Sequence, residues 1–163
     1  MFTKLRAIEK LKELKLPEVY LELFEGRCNL PEFDISCGVP EELYLCSEAQ
    51  QMAMIPTGYE PLWDDGNFDA IYCYVYADRS LRKVYLEGGE KHYPGFAHYV
   101  ADLLVSLWEL EWDELLSVYA SRLEFSHAEV VIDFIKTNHS SLETDQFETA
   151  LFALVDSLNQ TGN

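Results

Sequence analysis

All six prolines and all but one of the eight glycines of this 163-residue chain fall within its first 95 residues, and the next glycine after that is Gly162. A stretch without the two residues that break regular backbone favours helices, because nothing in it forces the chain to turn. The apolar spacing agrees. Phe96, Tyr99, Val100, Leu103, Leu104, Leu107 and Trp108 recur at steps of three and four, which predicts a helix over about 95–109. A second helix is expected from Trp112 to about Leu123. A third should follow Ser126, whose hydroxyl and Glu129 three residues later match a capping box, and a fourth begins near Thr144 and carries Phe147, Leu151, Leu154, Val155 and Leu158.

The first 95 residues have a mixed character. Phe2, Leu5, Ile8, Leu11 and Leu14 stand at steps of three among lysines, the pattern of an amphipathic helix over 2–14. Pro17 suits the opening of a second helix, EVYLELFEG, which Gly26 stops. RCNLPEFDISCGVPEE has no sustained period and reads as a loop. Glu42 to Cys46 is a short strand candidate, Ser47 a cap for a helical turn or two, and Ile55 to Tyr59 an extended piece. AIYCYVYA, opened by Asp69, has the aromatic and β-branched content of a strand. ADRSLR turns it, KVYLE (83–87) returns as a hairpin, and Gly88 and Gly89 end it.

Strands followed by helices make an α+β fold: a small, mostly antiparallel sheet with N-terminal helices and a C-terminal helical region packed around it. With 48% hydrophobic and 13% aromatic residues the chain has apolar material for one ordinary core. The expectation is a single domain over 1–163 with a helical extension from about 109. No apolar run is long enough to span a bilayer and the N-terminus lacks a leader pattern, so a cytoplasmic location is expected.

Charge constrains partners. The chain carries 12 basic and 29 acidic residues, a net charge of −17. Phosphates and anionic membrane surfaces would repel it, whereas a basic protein would be drawn to it. The basic residues cluster at the start, with Lys4, Arg6, Lys10, Lys12 and Lys15 inside the first fifteen positions. Residues 16–78 then hold Arg27 alone against thirteen acids.

Cys28, Cys37, Cys46 and Cys73 include no close CxxC pair, so a zinc site is not expected, and Cys46 and Cys73 read as small apolar side chains on strand-like segments. The acidic cluster in PLWDDGNFD fails as a calcium loop, since counting from Asp64 puts Asp69 sixth and Val75 twelfth. Asp-Gly-Asn between apolar segments is ordinary turn chemistry. Neighbouring carboxylates here have no histidine or nucleophile beside them in sequence. His92, His98, His127 and His139 are candidates for a general base but lie outside the GxSxG, HExxH and HxE patterns, and His98 and His92 read as surface or half-buried residues. Trp63 is expected in the core. If exposed, it would be the centre of an acidic rim of Glu60, Asp64 and Asp65, with Asp69, Glu41 and Glu42 as further candidates for contact with a protein partner.

Read in order, LPEVYLELFEG, PLWDDGNFDAIYCY, KVYLE and GFAHYVADLL resemble the SUKH superfamily, which includes the bacterial Syd protein and fungal regulators of cell-wall glucan synthesis. The matching positions are Leu16, Pro17, Tyr20 and Phe24; then Leu62, Asp64, Asp65, Gly66, Asn67 and Asp69; then Phe96, Tyr99, Leu103 and Leu104, over about residues 11–108. The resemblance implies binding without catalysis or cofactor: an immunity protein that neutralises a bacterial toxin, often a basic nuclease, by occupying its surface; the failed calcium spacing and the absent cysteine pairs lead to the expectation that no metal is required. The competing classes are an intracellular regulator or scaffold that docks a partner protein and, further off, a small hydrolase.

Overall fold

The computed structural model describes residues 1–161, and these make an α+β protein that divides into two compact units, one before and one after the boundary between Gly95 and Phe96. The second unit opens at Phe96, on the first of the expected long helices.

In the first unit, α1 (Lys4–Glu13) starts where the Thr3 hydroxyl accepts the Arg6 N–H and buries Ala7, Lys10 and Leu11. Next come α2 (Glu18–Phe24), α3 (Phe33–Ser36), α4 (Glu41–Leu45) and α5 (Glu48–Met54). Two expectations are corrected here. The supposed loop contains the single turn α3, and the strand candidate Glu42 to Cys46 is helical through Leu45, because Pro40 opens the turn, Glu41 and Glu42 suit a helix N-terminus, and Leu43 is its one buried side chain. The Ser47 cap does form, as a reciprocal capping box with Gln50. Gln51 is fully buried; its amide bonds the Phe2 backbone in both directions and the Leu43 carbonyl at 2.9 Å, which joins α1, α4 and α5.

The antiparallel sheet runs in the order β1 (Tyr59–Asp64), β2 (Ala70–Val75), β3 (Ser80–Tyr85), β4 (Glu90–Tyr93). The β2–β3 hairpin was expected; β1 and β4 were not. Gly88 and Gly89 do not end the sheet but turn it into β4, with the Tyr85 N–H donating to the Gly89 carbonyl at 3.1 Å. Side chains alternate across the sheet, so β2 serves two cores. On one side Ile71 and Cys73 join Leu43, Ile55 and Val84. On the other, Tyr72 stacks on Trp63 at 5.5 Å, and Trp63 meets Tyr20 at 4.4 Å, which in turn meets Phe33.

The second unit holds α6 (Phe96–Glu109), α7 (Asp113–Arg122), α8 (Ala128–Asn138) and α9 (Thr144–Thr161). Helix α6 is its hub, packing against α7, α8 and α9, which explains why it is apolar nearly all round. Phe134 of α8 stacks on Phe147 of α9 at 5.7 Å. The capping box at Ser126 does not form: α8 begins at Ala128 with His127 before it and no side-chain cap. Among the described residues no helix is long and apolar enough to cross a membrane.

Candidate functional site

The turn between β1 and β2 is built from the inside. Asp64 closes β1 and exchanges both backbone hydrogen bonds with Gly38, at 2.9 and 3.1 Å, while its carboxylate accepts the Gly66 N–H at 2.8 Å. The turn is tight at both glycines, against a side chain at Gly38 and against backbone at Gly66. A Cβ on Gly38 would stand 2.1 Å from the Asp64 carboxylate, and one on Gly66 would meet the Asp34 carbonyl at 2.3 Å, with Gly66 also at φ 85°. Asp65 accepts the N–H groups of Asp69 and Ala70 at 3.1 and 3.2 Å and lies 3.6 Å from the Lys83 ammonium. The expected turn chemistry is therefore present: these carboxylates are occupied by backbone donors. Among the described residues no group of three or more His, Cys, Asp or Glu could hold a metal ion.

Burial corrects the expected rim. Trp63 is in the core, 0% exposed, as the first alternative had it; Glu60 at 1% and Asp64 at 5% are buried as well. They cannot frame an exposed aromatic anchor. Burial pushes the Asp64 carboxyl above its usual range, against the Gly66 hydrogen bond, and the charges of Asp65 and Glu42 add to the rise. Glu60 accepts from Arg6 and from the Tyr76 hydroxyl at 3.2 Å, so it ties α1 to β1. Lys10 lies nearby, its ammonium 2.6 Å from Glu13 and 4.6 Å from the centre of the Tyr76 ring. Sequence periodicity placed Lys10 on the polar side of its helix, and it missed this cluster because the partners of Glu60 are 54 and 16 residues away.

Of the other candidates, Glu41 pairs with Lys4 of α1 at 3.5 Å, while Glu42 is exposed. Asp69 is exposed at the mouth of a shallow open cavity of about 460 Å³ that Tyr85, Glu87 and Gly88 also line. Beside it, Lys83 lies 5.4 Å from the centres of both the Tyr72 and Tyr85 rings.

The cysteines are free thiols; Cys37 and Cys73 are buried, and burial pushes the Cys73 thiol far above its usual value. Cys73 lies on a strand as expected, whereas Cys46 ends α4 with its thiol 3.3 Å from the Glu42 carbonyl. His98 is not half-exposed but buried: its Nε2 lies 3.1 Å from the Asp156 carboxylate and its ring stands edge-on to Phe152. Among the described residues no hydroxyl or thiol is hydrogen-bonded to it.

The second unit differs in electrostatics. It has twelve acids and only two basic side chains, Arg122 and Lys136. Among the described residues Glu111, Asp113, Glu114, Glu129, Asp133 and Asp145 are all exposed and make no ion pair. Compared with protein-family models, curated proteins and solved structures, the chain finds no match.

Proposed function

We propose that the chain is a non-enzymatic, SUKH-like protein-binding module that acts in the cytoplasm and neutralises a basic toxin domain, of the nuclease kind, by covering it. The observation that carries this reading is that Glu111, Asp113, Glu114, Glu129, Asp133 and Asp145 are exposed and make no ion pair among the described residues, in a unit that holds twelve acids and two bases. Carboxylates left in solvent keep their full field, and such a field steers a basic protein into contact at rates approaching about 10⁸ per molar per second at low salt. The resemblance of residues 11–108 to toxin-immunity proteins points to the same partner. His98 supports this reading over a hydrolase, because it is enclosed and, among the described residues, hydrogen-bonded only to the Asp156 carboxylate.

If the neighbouring reading frame encodes a basic toxin domain, calorimetric titration against that domain at low and at high salt tests the proposal. Affinity should fall about tenfold or more as salt rises. Salt-independent binding would remove charge from the explanation, and no binding would remove the function.

A further inference from the structure

We infer that the corner between α6 and α7, together with the outward face of α7, is the surface on which that basic partner docks, with Leu110 as its apolar anchor. The inference rests on the binding reading above and locates it. Leu110 is 49% exposed and lies in the sequence Glu109-Leu110-Glu111-Trp112-Asp113-Glu114, with four carboxylates within four positions of it along the chain. Val118, 42% exposed, lies one turn beyond Glu114 on the same helical face.

The corner is fixed in shape. Leu110, Glu111 and Trp112 donate their N–H groups to the carbonyls of Ser106, Trp108 and Leu107 at 3.0 to 3.1 Å, and the Leu115 N–H returns to Trp112 at 2.9 Å. An apolar side chain held outward on a rigid turn loses little freedom on contact, which favours it as an anchor. Its rim is available too. Glu109 is engaged by His139 at 2.9 Å, but Glu111, Asp113 and Glu114 make no ion pair among the described residues.

Charge complementarity selects the occupant. The surface fits a protein segment that offers an aliphatic or aromatic contact flanked by lysine or arginine, the arrangement of an apolar centre within a polar rim. A second copy would bring a unit with the same excess of ten negative charges against it. The α4–α5 region is the competing surface, with Leu45 88% and Met52 64% exposed. There, however, Glu41 and Glu48 already hold Lys4 and the N-terminal amine, so less of the field is left for a partner.

The test uses the full chain and two synthetic peptides of equal positive charge, one with leucines at helical spacing among its lysines and arginines and one without leucine. Amide chemical shifts in NMR should move most over residues 110–118 with the leucine peptide. Leu110→Ser should weaken that peptide about tenfold and leave the leucine-free peptide unchanged, whereas Glu111→Lys with Glu114→Lys should weaken both. Thermal melts of each variant confirm that it is folded. Shifts spread over the whole acidic surface, shifts centred on α4–α5, or full-strength binding by Leu110→Ser would overturn the assignment. If the variants still bind the basic toxin domain as the parent does, the corner is wrong and the proposed function stands; if the parent binds neither peptide nor domain, both fall.

Discussion

Residues 1–95 set seventeen carboxylates against ten basic side chains, whereas residues 96–163 set twelve against two. In the first unit the charges are largely used within the fold. Arg6 and Glu60 join α1 to β1, Asp78 and Glu90 both meet Arg82, and Asp65 meets Lys83. In the second unit most carboxylates project into solvent, and the helices are joined by aromatic and aliphatic contacts such as Phe134 on Phe147. The difference teaches that net charge alone does not mark a binding surface: a carboxylate already paired within the fold has little field to offer a partner.

If the first unit depends on its interior, its aromatic core should show the largest effect. Trp63→Ala removes the ring that packs between Tyr20 and Tyr72, and should lower stability by about 3–5 kcal/mol in urea denaturation. A loss under about 1 kcal/mol would mean the stack contributes little, and the contrast between the units would weaken. Arg6→Ala comes next. It leaves Glu60, 1% exposed, with the Tyr76 hydroxyl as its remaining partner, and should cost about 1–3 kcal/mol, toward the lower end because Arg6 itself is half in water. Unchanged stability would show the ion pair to be incidental to the fold.

The same long-range partnerships explain what the sequence could and could not disclose. The helical second half was legible because Phe96 to Trp108 repeat at helical spacing with no proline or glycine between them. The β2–β3 hairpin was legible from its aromatic run. Strand β1 was not, since YEPLWD contains a proline and two acids: Glu60 is held inside by Arg6 and Tyr76, 54 and 16 residues away, and the Asp64 carboxylate by the Gly66 N–H, while its backbone pairs with the distant Gly38. Strand β4, EKHY, is short and polar and gains its place from pairing with β3. Helix α4 looked like a strand because aromatic and leucine residues suit both, and burial of Leu43 decided it. Of the candidate site, the turn made by Asp64, Asp65 and Gly66 was readable. The inward direction of Glu60 was not, because a register shift between Pro61 and Trp63 intervenes.

Asp64 offers a smaller, signed effect. Its carboxyl is raised by burial, so the folded state holds the proton more tightly than the unfolded chain does. Protonation therefore favours the fold, and the charged carboxylate costs stability at neutral pH. Asp64→Asn keeps an oxygen to accept the Gly66 N–H and removes that charge, so the variant should match or exceed the parent near neutral pH. Its advantage should fade as pH drops through the carboxylate range toward about pH 3. Urea midpoints across that interval check it. A variant less stable at neutral pH would show that the ionised form is what holds Gly66.

The smallest effect is expected on the other side of the comparison. Asp133 lies in the middle of α8, exposed, without an ion pair among the described residues and one turn after Glu129, a like charge at the i, i+4 spacing. Asp133→Lys exchanges that repulsion for an attraction worth about 0.2–0.5 kcal/mol, and sets against it a new repulsion with Lys136 three residues on. The two nearly cancel, so the melting free energy should stay within about 0.5 kcal/mol of the parent. The same charge reversal should still weaken binding of a basic partner slightly, through a slower association that salt masks, because a rim charge acts on encounter more than on the bound state. Thermal melts and stopped-flow association on one preparation separate the two readouts. A stability loss above about 1 kcal/mol would place Asp133 in the fold's own electrostatics, as Glu60 is, and would remove the distinction between the two units at that position.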